Sequence, residues 1–168
     1  MNRFLNCDPS SFDPIFDRIG KDQMLITATD GARANTMTAS WGSCGILWNK
    51  PIAICFIRPQ RFTYPIMEQA DRYSLSFFDG GYRKALAYCG THSGRDEDKF
   101  AAAELTCAYT ENGVPYVAEA KHVLICRKLY ADMLRPELFS DPSILSHYTA
   151  GDFHKVYVGE IEQYLKAE

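Results

Sequence analysis

The sequence predicts a mostly β protein whose strands pair antiparallel and close, or nearly close, into a barrel, with a few short helices around it. Three observations carry this. Segments of strand character recur at residues 23–29, 34–41, 52–57, 73–78, 114–117, 121–130 and 154–165. Tight-turn signals, Asp30-Gly31 and Asn112-Gly113, join neighbouring segments, which favours hairpins over the long crossovers of a parallel sheet. Residues 52–57 (IAICFI) form an unbroken apolar run, as expected of a central strand buried on both faces.

Each element follows from local chemistry. Phe12, Ile15, Phe16 and Ile19 share helical spacing, and Gly20 follows as a stop. Residues 23–29 (QMLITAT) read as a strand that Asp30-Gly31 turns into 34–41, rich in threonine and small residues. Gly42 and Gly45 interrupt that strand, implying a bulge or a close backbone approach. Arg58-Pro59-Gln60-Arg61 ends the central strand, and Thr63 is placed to cap a helix over 64–71 with Pro65 in its first turn. Residues 73–78 (YSLSFF) alternate like a half-buried strand. Tyr82, Ala85, Leu86 and Cys89 share helical spacing before a stop at Gly90. Ser93-Gly94-Arg95-Asp96 resembles a capping box opening a helix over 96–103.

A chain of 168 residues fits one domain over 1–168. Its 46% apolar and 23% charged residues exclude a disordered or fibrous protein. The 13% aromatic content suits strands and a flat-ring ligand, and equally a large core. Net charge is −3 with no basic block, which argues against nucleic acid as a partner. The six cysteines, Cys7, Cys44, Cys55, Cys89, Cys107 and Cys126, are irregularly spaced and form no C-x-x-C pair. Cys55 and Cys126 lie in apolar runs, so reduced structural thiols in a cytoplasmic protein are expected, with no metal site. The N-terminus has no apolar stretch of signal-peptide kind, and the longest apolar run is far below the roughly 18 residues of a membrane span.

Side-chain catalysis has no obvious seat. The chain lacks G-x-S-x-G, G-x-x-x-x-G-K-[ST] and G-x-G-x-x-G, and His92, His122, His147 and His154 show no metal-binding spacing. Asp96, Glu97 and Asp98 fit a solvated first helical turn better than an acid/base pair. A cofactor would therefore carry any reaction. Two segments suit one. Residues 35–42 (NTMTASWG) alternate hydroxyl and apolar residues and break at glycine, a form that can face a flat polar ligand. Residues 55–63 (CFIRPQRFT) place Arg58, Arg61 and the Thr63 hydroxyl beside a helix start, the donors a phosphate monoester needs. An edge strand with a bulge, and two solvated arginines, fit these residues equally well.

With these segments extended to NTMTASWGSCGILWNKPIAICFIRPQRFTYPIMEQADRYSLSFF, and with CGTHSGRDEDKFAAAELT and YTAGDFHKVYVGEIEQYL, the sequence resembles the flavin reductase-like family, the FMN-binding split barrels that include flavoredoxin. The resemblance spans residues 23–165. It implies an antiparallel split β-barrel, a homodimer, and FMN near the subunit interface. Thr38, Ala39, Ser40 and Trp41 would run along the isoalloxazine and ribityl chain, and Cys55, Phe56, Ile57 and Arg58 would flank the ring. Arg61 and Thr63 would hold the phosphate, with Ser93 and Lys99 in a stretch near the cofactor. His154 matches a histidine that in some relatives lies by the nicotinamide or flavin ring, so it is the catalytic candidate; a strand-end histidine with a satisfied hydrogen bond fits as well. The implied activity is hydride transfer from NAD(P)H, stacked directly on FMN, and then electron transfer to free flavin, a ferric complex or another small acceptor. A flavoredoxin-like electron carrier without its own NAD(P)H turnover is the alternative, and a barrel that binds no flavin is a third reading.

Overall fold

The structure, a computed structural model, describes residues 4–9 and 15–168. Its strands are β1 (Phe4–Cys7), β2 (Met24–Thr29), β3 (Ala34–Ala39), β4 (Gly42–Leu47), β5 (Lys50–Ile57), β6 (Arg72–Phe77), β7 (Cys107–Tyr109), β8 (Pro115–Val117), β9 (His122–Met133) and β10 (Lys155–Ala167). The helices are α1 (Ile15–Gly20), α2 (Thr63–Gln69), α3 (Arg83–Thr91) and α4 (Lys99–Ala102). Two 3-10 segments, Pro136–Leu138 and Pro142–Tyr148, lie in the long connection between β9 and β10. Among the described residues no helix is long and apolar enough to cross a membrane.

Every pairing is antiparallel, in the order β3-β2-β6-β9-β10-β5-β4, with β1 added along β10 and β7–β8 as a separate hairpin. The β2–β3 turn forms as its sequence predicts: Asp30 accepts from the N–H groups of Ala32 (2.9 Å) and Arg33 (2.8 Å), and Gly31 takes φ +91°. The β4–β5 turn uses two left-handed residues, Trp48 (φ 52°) and Asn49 (φ 56°), whose twist matches the strands they join.

Topology places the site. β3 and β4 are consecutive in the chain yet lie at opposite ends of the sheet order. Only Ser40 and Trp41 separate them, so Ala39 and Gly42 are at most about 11 Å apart. The sheet must therefore curl until its two edges nearly meet. They do not pair, and the barrel stays split at this corner instead of closing.

Inside the curl pack Met24, Ile26, Tyr73, Leu75, Phe77, Cys55, Ile57, Leu124, Cys126 and Tyr157. Outside, Leu25, Val123 and Ile125 meet Leu86 and Cys89 of α3, Phe100 of α4 and Val117 of β8. Because β8 docks there, β6 is buried on both faces rather than half-buried as its alternation suggests. The Ser74 hydroxyl donates to Pro115 O (2.7 Å), which satisfies a polar group in that contact.

Other expectations are corrected. The apolar run at 52–57 is not sealed on both faces, because Ile54 and Phe56 remain half-buried on the side away from the core. The segment after Gly42 is a full edge strand. Gly42 does make a close approach, since a Cβ there would lie 2.7 Å from Ile54 O, but Gly45 faces open space. Thr63 does not cap α2: Phe62 holds that position, and the Thr63 hydroxyl is used elsewhere. Asp98, not Ser93, caps α4, accepting from Phe100 N–H (2.9 Å) and Ala101 N–H (3.4 Å). Gly90 lies inside α3 and does not end it. Phe12 lies outside the described residues. All six cysteines are unpaired, with Cys55 and Cys126 fully buried.

The register shift of β10 at Val158/Gly159 brings its backbone against the core. A Cβ at Gly159 would collide with the Tyr73 hydroxyl and lie 3.0 Å from Cys126 Cβ. Gly159→Ala should therefore cost about 1–3 kcal/mol in urea-monitored unfolding by overpacking. Unchanged stability would show that the Tyr73 ring moves freely.

Candidate functional site

A cleft of about 470 Å³ opens at the split corner. Its walls are Thr38, Ala39, Ser40 and Trp41 from the corner, Phe56 of β5 and Arg58 just after it, Leu86 to Thr91 of α3 in part, and His154 just before β10. Gln23, held at φ 68° just before β2, also lines it. Strand alternation decides what β5 contributes. Phe56 and Arg58 face the cleft, whereas the Cys55 and Ile57 side chains are wholly buried in the core. The expectation that 55–58 all flank a ligand is thus corrected: Cys55 and Ile57 can offer no side-chain contact. Burial also pushes the Cys55 thiol up to about 12, so it stays protonated.

The Thr38 hydroxyl donates to Leu86 O of α3 (2.5 Å), so toward a ligand it can act only as an acceptor. Arg58 is likewise engaged. It pairs with Asp152, donates to His147 O (3.0 Å), and lies over the Tyr148 ring at 5.2 Å. Gln60 holds the same Asp152 at 2.6 Å. Arg58 therefore braces the β9–β10 connection against the cleft. Trp41 is partly exposed, its ring 5.1 Å from His154 and 5.4 Å from His147.

A side pocket of about 150 Å³ shares Arg61, Gly90 and Thr91 with the cleft and adds Thr63, Ser93, Gly94, Arg95 and Lys99. A turn positions Arg61, whose N–H donates to Arg58 O (3.0 Å). The Arg61 guanidinium donates to Gly90 O (2.8 Å) and Cys89 O (3.2 Å). Lys99, only 3% exposed, donates to the same Cys89 O (3.1 Å). Both cations thus sit on the last carbonyls of α3, where the helix dipole is negative. Among the described residues neither forms an ion pair. Burial, reinforced by the Arg61 charge, lowers Lys99 to about 8, and burial also lowers Arg61. The Thr63 hydroxyl accepts from Asn35 Nδ2 (2.8 Å), and Ser93 Oγ accepts from Arg95 N–H (3.2 Å), so both hydroxyls still have a proton to donate. Gly94 is required for space: a Cβ there would lie 2.8 Å from Asn35 Cγ and 2.9 Å from the Phe62 ring.

His154 is 9% exposed and lies 2.9 Å, through Nδ1, from the Tyr148 hydroxyl. Burial and the Arg58 charge hold it down at about 4, so its ring is neutral at physiological pH.

Thr38–Trp41, Phe56, Arg58, Arg61, Thr63, Ser93, Lys99 and His154 are thus brought around two connected cavities, and Cys55 and Ile57 are not. Sequence reasoning missed the α3 wall (Leu86, Gly90, Thr91), Asn35 behind Thr63, Arg95, and Tyr148 behind His154. Only α3 carried a usable signal, in its helical spacing.

The profile described as "Flavin reductase like domain" matches residues 16–168, and the chain belongs to that family. A curated relative, the NADH:riboflavin 5'-phosphate oxidoreductase of Streptomyces pristinaespiralis, is 25% identical over 119 residues, 71% of this chain. That match spans 65% of the relative's own length. Among solved structures, the FMN-binding protein from Thermus thermophilus with bound p-hydroxybenzaldehyde superposes with a TM-score of 0.68 at 24% identity, covering 84% of this chain and 69% of that one. Flavoredoxin of Desulfovibrio vulgaris (Miyazaki F) gives 0.68 at 22% identity, covering 87% and 69%. This chain shares the split-barrel fold with these two solved structures.

Lys99 offers a direct check on the side pocket. In ligand-free protein it should titrate near 8 rather than 10.5, read by NMR of its ε-methylene. The unfolded chain keeps that proton up to about 10.5, so this group's contribution makes the folded state gain stability as pH rises from 8 to 10.5. Inorganic phosphate should move the titration upward. An unperturbed Lys99 would contradict the pocket's electrostatics.

Proposed function

We propose that this chain binds FMN, with the phosphate in the Arg61–Lys99 pocket and the ring system in the cleft, and acts as an NAD(P)H-dependent oxidoreductase toward a small acceptor. The observation that carries the reading is a pair of cations, the buried Lys99 and the half-buried Arg61, that form no ion pair among the described residues and open off the cleft. Their charge approaches +2, and the α3 terminus offers only about −0.5. The remainder is close to the −1.5 to −2, roughly, of a phosphate monoester at neutral pH. The donor set fits as well: guanidinium, ammonium and two hydroxyls with protons to give. The donor is taken from the NADH in the name of the Streptomyces relative.

When bound, FMN would supply the hydride and electron-transfer chemistry. The chain's own residues bind, orient and exclude water. Arg61 and Lys99 would fix the tail, Ser40 and Trp41 would edge the ring, and Phe56 would provide an apolar floor. Arg58 would keep the β9–β10 connection over the cleft through Asp152. Alignment and water exclusion suit hydride transfer better than a charged acid or base, which matches a neutral His154. A homodimer is part of the proposal: β4 is an edge strand without a charged residue until Lys50, and its hairpin tip exposes Ile46, Leu47 and Trp48. A reducing cytoplasm suits the six free thiols.

Arg61→Ala should weaken FMN binding about 10- to 100-fold, the loss of a charge-assisted contact, while leaving riboflavin affinity nearly unchanged. Fluorescence titration reads both. Equal affinities for FMN and riboflavin in the wild-type protein would end the phosphate assignment. Steady NADH or NADPH consumption with excess FMN is expected, and a protein that binds FMN but consumes neither is an electron carrier instead.

A further inference from the structure

Tyr148 ends the second 3-10 segment and is only 6% exposed, its ring stacked on Phe153 at 4.6 Å. Among the described residues its hydroxyl has His154 Nδ1 as hydrogen-bond partner at 2.9 Å, and donating to that nitrogen satisfies the phenol proton. The reverse arrangement, Nδ1–H donating to the phenol oxygen, would strand the phenol proton inside protein. With the ring neutral, Nδ1 accepting leaves the single imidazole proton on Nε2. Since Nδ1 is occupied, Nε2 is the ring nitrogen left for whatever enters the cleft that His154 lines.

We propose that Tyr148 is a positioning residue that locks His154 as its Nε2–H tautomer, so that the cleft presents a neutral hydrogen-bond donor to an uncharged acceptor atom of its ligand, such as a carbonyl or carboxamide oxygen. The identity of that ligand rests on the flavin reading above; the tautomer does not. The charged and titratable neighbours agree with it. Arg58, from the end of β5, lies over the Tyr148 ring at 5.2 Å and opposes an imidazolium. Asp152, in the same connection as Tyr148, would favour one, but it is paired with Arg58 and held by Gln60. The remaining neighbour, His147, meets the Trp41 ring rather than His154. His154 is thus a donor across the pH range in which an exposed histidine would change charge. A ligand that needs a cation or a general base at this point would not be served.

The test is multiple-bond 1H–15N NMR of the histidine rings in flavin-free protein. In wild type, His154 should carry its proton on Nε2 and show no titration between about pH 5.5 and 8. Tyr148→Phe keeps the ring and its packing while removing the donor. It should shift the tautomer ratio toward Nδ1–H by about fivefold or more, while burial and Arg58 keep the ring neutral. A wild-type Nδ1–H ring, a wild-type titration near 6.5, or a Tyr148→Phe spectrum with unchanged tautomer populations would each overturn the proposal. No flavin is needed, so failure here leaves the Arg61 titration standing, and failure there leaves this result standing.

Discussion

Two cations share the carbonyls that end α3, and among the described residues no carboxylate forms an ion pair with either of them. That constraint organises the region around it. Asp98 caps α4 and so delivers Lys99 to the pocket. The turn that ends β5 delivers Arg61 from the other side. Asn35 of β3 ties to Thr63 at the start of α2, which keeps strand and helix in place behind the cations. Arg33 donates to Gly94 O and lies over Phe62 at 4.9 Å, fixing the loop that closes the pocket. Much local hydrogen bonding is spent on holding like charges together, an arrangement with a clear purpose only if an anion joins them.

The fold supplies the flat cavity beside this pocket through a single topological fact. A two-residue link between strands at opposite sheet edges forces a corner where backbone and the side chains of Ser40 and Trp41 meet no paired neighbour strand. A closed barrel would have spent that corner on ladder hydrogen bonds. Leaving it open places the cleft next to the α3 terminus, so one ligand can reach both.

How far the sequence could be read depended on whether each signal was local. Asp30-Gly31 and Asn112-Gly113 folded as expected because a turn's chemistry lies within the turn. β4 was unreadable as a strand because GSCGIL has neither alternation nor β-branched density, and it forms by pairing with β5. β6 looked half-buried because the partner covering its serine face, β8, lies about forty residues on in sequence. At the site, Arg58 and Arg61 looked equivalent. Asp152, 94 residues beyond Arg58, separates them by making Arg58 a brace and leaving Arg61 for the pocket. The period-two rule separates Phe56 from Cys55 and Ile57, but the unbroken apolar run at 52–57 masked that alternation. Tyr148 carried no periodic signal at all, since it reaches His154 from an irregular connection.

The most direct test of the account is a crystal structure of the protein with FMN. The phosphorus should lie between Arg61 and Lys99, with the ring system against Ser40, Trp41 and Phe56. Ordered FMN with its phosphate in solvent, or a ring bound away from the split corner, would contradict it.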